Sequence, residues 1–515
     1  MVILFGSGRR PLSPNLQALA ALVLLLLLPT ACLPGPEAPS RELVVLMKGW
    51  PLAMVPHLQA ERVTYSVQVN IFEALAEFDS EMRIRPLLAE SWGNPDENTW
   101  LLRLRKDVRF HDGSPMTATD VIYSLNRARN HPRSALQANF VMVREIRQED
   151  DHTIRIVTTR PYPILLNRLV NAYIVPRRML ERQGDEAFAR APVGTGPYRF
   201  QSFPEEGPIT LTAWDEYWGS PPAFRTLRIH NQLDQARTFQ LLTEGRAAIV
   251  PQLTTGLAGA LKRWARGSFR VHQRPGLMLR FLGFDFRIGT FRDLRIRRAI
   301  SLAVDRRRLI QENLQGFGQP ANQLVPRGVF GFHPGLPDLA YDPPGARALL
   351  AKAGYPDGLD LELTVPQVRQ HVGLQLQRQM APAGIRLALK VLPREAFIAQ
   401  VRQAPFYLLG EASTSGDASD VLADAIHSPT NGYGMSNWAG YHNPLVDQLV
   451  EKSGASLHQQ QRLQALQAAM AAAMADLPRI PLYIEDEIYG ISDRVRWRPR
   501  LDILFFGKEV LPAED

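Results

Sequence analysis

Bond-breaking chemistry needs particular residue types at set intervals, and this chain of 515 residues lacks the familiar ones. HExxH, GxSxG and CxxC are all absent, and the eleven histidines are scattered without metal-ligand spacing. His111 stands beside Asp112-Gly113, a turn dipeptide, and reads as a turn residue rather than a ligand. Pro192-Val193-Gly194-Thr195-Gly196-Pro197-Tyr198 is the most glycine-dense stretch. A phosphate-cradling loop requires GxGxxG or GxxxxGK[ST] leading into a helix; here Pro197 leads into Tyr198-Arg199-Phe200, a strand pattern, so the glycines read as a structural turn. Leu463, Leu466, Met470, Met474 and Leu477 fall at helical spacing before Pro478, which makes the methionines core residues and not a metal site. The expectation is a protein that binds and does not catalyse, without metal or cofactor.

The elements that must position a binding site are readable in part. Glu42-Leu43-Val44-Val45-Leu46 is a strand-type run, and residues 99–105 alternate, with Trp100, Leu102 and Leu104 on one face. Thr117-x-x-Asp120 ahead of Val121 is a capping box that opens a helix. Residues 234–245 form a helix that Gly245 ends, and Asp342-Pro343 opens another that stops at Gly354 and Pro356.

Hydrophobic residues at 45% and charged residues at 21% describe a globular chain, long enough for several domains. The formal charge of +8 invites a nucleic-acid reading, but the arginines are spread along the sequence, with only short clusters such as Arg306-Arg307-Arg308. Nucleic-acid binders concentrate charge on one face or segment, so no such partner is expected.

The N-terminus carries an export signal: Arg9 and Arg10, an apolar run over 18–28, then Pro29-Thr30-Ala31-Cys32. Eleven apolar residues fall short of the roughly 20 that span a bilayer. The segment before Cys32 resembles a bacterial lipobox, although Pro29 stands where leucine is usual and Leu28 lies one place further back. Cys32 is the only cysteine, so no intramolecular disulfide can form, and it is the expected lipid attachment point. Residues 1–31 are then the signal peptide and the proline-rich 32–40 a tether.

From Tyr65 onward the chain resembles the bacterial extracellular solute-binding proteins of family 5, which serve peptide/nickel-type ABC importers. The matching pieces are Asn70-Ile71-Phe72-Glu73-Ala74-Leu75, Pro86-Leu87-Leu88-Ala89-Glu90-Ser91-Trp92, and Phe110-His111-Asp112-Gly113 running to Asp120-Val121. Phe281 to Phe286, Asp293 to Arg306 and Pro481-Leu482-Tyr483-Ile484 continue the match in order. The resemblance implies an α/β, two-lobed periplasmic-binding-protein fold of the large type II, cluster C-like kind, with a subdomain inserted in lobe one. Lobe one would span 41–276, with the insertion at about 82–190, lobe two 277–485, and residues 486–515 would return to lobe one. Crossing segments near 279–284 and 482–486 would form the hinge.

The implied function is capture of a small polar solute, a peptide or another, outside the inner membrane and its delivery to ABC permease and ATPase subunits. The expected form is a monomer, periplasmic or on the cell-surface side, held to a bacterial membrane by its lipid. A sensory protein of the same fold, without transport, is the alternative, and an enzyme on this fold the more remote one. Candidate ligand-binding residues are Thr64, Tyr65, Phe281, Phe284, Glu411, Thr414, Asp417, Tyr433 and Trp438. In peptide-binding members, Gly-Trp-x-x-Asp-x-x-Asp-Pro occupies the place of Gly410 to Ala418, its first Asp receiving the ligand's free amine. Here Glu411 replaces the Trp, Thr414 replaces that Asp, and Asp417 is kept and expected to brace the loop. A neutral hydroxyl at 414 cannot form the charge-assisted bond an ammonium makes with a carboxylate, so binding of ordinary short peptides is expected to be weak or absent unless Glu411 turns into the cleft and supplies the carboxylate.

Overall fold

The computed structural model describes residues 42–514 apart from 206, 232–233 and 265–267, so the expected export signal, the expected tether and Cys32 lie outside the described residues. Two long strands organise the rest. Phe269–Phe284 and Arg479–Ser492 run antiparallel through the middle of an eleven-stranded sheet. On one side Phe406–Ala412, Leu359–Pro366 and Ile385–Leu392 extend from the 278–284 end. On the other, Ile249–Val250 joins Ile491 and Gly490, and Glu42–Met47, Thr226–Asn231, Ile209–Ala213 and Tyr198–Ser202 follow. Each half is a lobe, and the ladder between them is interrupted. Pairing jumps from Pro275 opposite Asp486 to Leu279 opposite Ile484. A Cβ on Gly276 would come within 2.7 Å of the Glu485 carbonyl oxygen, so glycine lets the backbones cross closely here. The break falls just ahead of the first hinge segment expected from sequence and inside the second.

A separate four-stranded antiparallel sheet, in the order Ala89–Asp96, Thr99–Leu104, Thr153–Thr158, Val143–Asp150, carries its own core. Trp100, Leu102 and Leu104 are buried there with Ile154, Ile156 and Leu125, each worth about 1.5–3 kcal/mol of burial. The capping box is present: Thr117 N–H donates to the Asp120 carboxylate at 3.0 Å, and Asp120 N–H returns a bond to the Thr117 hydroxyl. Such a cap stabilises helix Ala118–Asn130 by about 1 kcal/mol. Gly245 follows helix Gln235–Thr243 at φ +68, and helix Gln459–Asp476 buries Leu466, Met470 and Met474.

The glycine-dense turn is structural. A Cβ on Gly194 would stand 2.1 Å from the Ile71 carbonyl oxygen, and Gly196 N–H donates to that same oxygen at 2.8 Å. His111 completes the clasp: Gly194 N–H donates to its Nδ1 at 3.3 Å, and its Nε2 lies 2.9 Å from the Gly196 carbonyl. One ring nitrogen accepts and the other donates, which is the neutral ring; burial lowers its pKa to about 4. No described helix is long and apolar enough to cross a membrane.

Candidate functional site

Strand Phe406–Ala412 delivers the loop that the sequence singles out. Alternation places Tyr407, Leu409 and Glu411 on one face of the second lobe's sheet, where Tyr407 and Leu409 pack with Phe281 and Trp438. Glu411 forms an ion pair with Arg479, whose guanidinium lies 4.4 Å over the Phe281 ring. The structure thus gathers Phe281, Glu411 and Trp438 into one cluster, with the Glu411 charge already partnered. Asp417, 2% exposed, takes both Nη groups of Arg462 at 2.6 and 2.7 Å and caps Ser419 N–H. Phe330 N–H to Gly416 and Ala418 N–H to Phe330 fix the same loop from its other side, which leaves Thr414 exposed at the tip.

The other sequence candidates lie elsewhere. Phe284 is fully buried and stacked on Phe406, 5.4 Å between ring centres. Thr64 is buried too: its hydroxyl accepts from Leu52 N–H at 2.9 Å and donates to Glu61, the residue that caps helix Arg62–Gln68. Tyr65, half-buried on that helix, meets Tyr173 edge-on, and burial pushes its hydroxyl pKa up. Tyr433 lies apart from all of these, in the wall of a cavity.

That cavity, about 420 Å3, has one wall from the segment that includes the end of the four-stranded sheet and one from residues 419–462. Residues 138–168 supply Met142, Arg160, Tyr162, Ile164 and Arg168; residues 419–462 supply Asp420, Asp424, Tyr433 and Arg462. Its volume is in the range of small-molecule sites, which favour domain interfaces. Two contacts join the segments on either side of it. Asn167 Nδ2 donates to the Ser415 carbonyl at 2.8 Å, and Arg168 Nη2 lies 2.5 Å from Asp420. Burial raises the Asp420 pKa and the Arg168 guanidinium opposes the rise. Arg160 rests 4.1 Å over the Tyr433 ring, which itself stacks on His427 at 4.5 Å, and donates to the Asn431 carbonyl at 3.0 Å. At the rim Val141 and Met435 are 64% and 79% exposed.

Of the residues picked out from sequence, Tyr433 alone lines this cavity; Arg160, Tyr162, Arg168, Asp420 and Asp424, which also line it, were not singled out. A signal for two of them existed: Asp417, Asp420 and Asp424 recur at intervals of three and four, the spacing of one helical face. The helix there, Ser419–Val421, opens into a wider turn, Leu422–Ile426, with a bond from His427 N–H to the Leu422 carbonyl. Such π-type turns are rare and frequent at functional sites.

Known proteins share this architecture. The dipeptide-binding protein of Escherichia coli (strain K12) is 24% identical over 477 residues, covering 86% of this chain and 89% of the relative. Heme-binding protein A of Haemophilus influenzae is 24% identical over 482 residues, 87% of each chain. Among solved structures, HbpA2 from Haemophilus parasuis superposes with a TM-score of 0.84 at 22% identity, covering 92% of this chain and all of that one. The unliganded open form of MppA, a periplasmic murein tripeptide binding protein, gives 0.81 at 20% identity over 93% of this chain and 98% of its own. The family model "Bacterial extracellular solute-binding proteins, family 5 Middle" matches residues 83–433, and the chain belongs to that family.

Proposed function

We propose that this chain is the extracytoplasmic solute-binding component of an ABC importer, holding a small polar solute between its lobes and passing it to a membrane permease driven by an ATPase. The observation that carries the reading is the 420 Å3 cavity, whose two walls belong to bodies far apart in sequence. Closure lets contacts on both walls form together while water leaves, and two crossing strands with a broken ladder suit a hinge between them. The lobes are taken as 41–276, with the insertion at 82–190, and 277–485, with 486–515 returning to the first. The similar proteins that bear the names of a dipeptide-binding and a heme-binding protein support solute carriage without fixing this chain's solute. Loss of the amine-receiving carboxylate at Thr414, with Glu411 engaged by Arg479, speaks against amine capture at that loop.

In this reading Cys32, the sole cysteine, carries the lipid that holds a monomer at the outer side of the membrane. The test is native mass spectrometry after gentle purification, followed by removal and return of the retained solute. Return should shrink the scattering radius and raise the melting temperature by mass action. An unchanged radius and unchanged melting at saturating solute overturn the reading.

A further inference from the structure

We propose that the turn Asp79–Arg83 is a latch between the lobes: Met82 plugs a socket beside Gly416, Glu81 grips the hinge strand, and together they hold the closed arrangement without a solute. This rests on the hinge motion of the carrier function proposed above. Met82 stands in left-handed backbone, φ +58, where a β-carbon is crowded and glycine or asparagine is usual. Hydrogen bonds pin the turn in that shape. Asp79 N–H donates to the Arg83 carbonyl at 2.9 Å and Met82 N–H to the Asp79 carbonyl at 3.0 Å. The Asp79 carboxylate accepts from Glu81 N–H and Arg83 N–H, at 2.9 Å each. Met82 is 5% exposed and shares one apolar cluster with Val329, Ala418 and Leu466 of the second lobe. Leu501 joins the same cluster, its N–H bonded to the Ser80 carbonyl at 2.9 Å.

Glycines leave room for this plug. A Cβ on Gly416 would stand 3.1 Å from Met82 Cε and 3.3 Å from its Cβ, and one on Gly328 2.6 Å from Leu501 Cδ2. Gly416 belongs to the loop after Phe406–Ala412, which Asn167 and Arg168 also hold, at Ser415 and Asp420. On the other flank of the turn, Glu81 takes Arg274 at 2.6 Å and Arg498 at 2.7 Å. Arg274 precedes Pro275, where the ladder between the long strands breaks. One turn thus touches both the loop of the second lobe and the strand on which the lobes move. A turn that only reversed the chain would be better served by glycine or asparagine at 82. Methionine there instead buries apolar surface across the lobe boundary, and that burial favours the docked arrangement whether or not a solute is present.

The test is small-angle scattering and cross-linking on the full chain stripped of solute. Met82→Asn suits the left-handed backbone and removes the plug, so the scattering radius should rise. Met82→Leu keeps an apolar plug and should keep the wild-type radius. A lower melting temperature in Met82→Asn with an unchanged radius would make Met82 an ordinary core residue and overturn the latch. In a Cys32→Ala background, Met82→Cys with Gly416→Cys brings two β-carbons close to the roughly 3.5–4.5 Å that a disulfide spans. Most chains should cross-link on mild oxidation without solute, and the oxidised form should have the wild-type radius. A pair that cross-links only after the co-purifying solute is returned also overturns the latch. If that solute compacts wild type and Met82→Asn from the same open radius, the latch falls and the carrier reading stands. If neither solute nor substitution moves the radius, the hinge motion fails and the latch with it.

Discussion

Arg479 is 6% exposed and lies on the face of Phe281, so its charge depends on Glu411 for an acceptor. Glu411→Gln should destabilise the protein by about 1–3 kcal/mol through an under-satisfied buried guanidinium while leaving solute affinity unchanged; denaturant melts and calorimetry on the same variant read both. Asp417→Asn should cost more, about 3–5 kcal/mol, because that pair is buried on both sides. A weakened solute affinity in Glu411→Gln would place that carboxylate in the binding site after all. These roles were unequally legible in the sequence. Asp417 stands in a loop that otherwise lost its family carboxylate, which suggests a brace. Its partner Arg462 lies 45 residues away inside an alanine-rich helix, and no local pattern connects the two. Glu411 is on the alternating face of Phe406–Ala412 together with Tyr407 and Leu409, so its strand placement was readable and the long reach of Arg479 was not.

The crossing strands carry an unusual carboxyl. Asp486 sits at the break in the ladder with one buried oxygen unpartnered, and burial, helped by Glu487 and opposed by Lys262, pushes its pKa up to about 6. A carboxyl whose pKa is raised on folding favours the folded state below its unfolded value of 3.8, and that benefit is lost as pH rises through about 6. Asp486→Asn should therefore raise the melting temperature at pH 7.5 and change it little at pH 4; equal effects at both would show that the carboxyl is not strained. Period-2 alternation and the capping box made the subdomain's strand and helix readable, because both are local signals. The cavity was not readable. The pair that bridges it, Arg168 and Asp420, is separated by 252 residues, and it exists only once two bodies have docked.

At the scale of the molecule, anchoring and assembly order are open to measurement. Cys32→Ala should shift the protein from membrane to soluble fractions, since acyl chains hold by roughly 0.8 kcal/mol per buried methylene and two or more are needed to anchor stably; equal retention of both forms would sink the lipid attachment. The fold was legible in outline because its matching segments occur in order along nearly the whole chain. The two crossing strands were legible only through that resemblance, because their pairing joins residues about two hundred positions apart and no local pattern connects them.

Those two strands also divide the chain in time. The second half of the sheet is built from one stretch, 278 to 484, and can close on itself as soon as that stretch is available. The first half begins at Glu42 yet needs Gly490 and Ile491 to complete its sheet. Its core also includes Trp497, Phe505 and Val510 from the last residues, and Asn70 is clasped by the Phe505 carbonyl and by Gly507 N–H. A polypeptide emerging from its N-terminus must therefore leave its first 230 or so residues incomplete until its tail arrives, exposing apolar surface meanwhile. Pulsed hydrogen exchange during refolding should find the amides of Leu359–Pro366 and Ile385–Leu392 protected before those of Glu42–Met47. The part of the protein made first should be the part finished last.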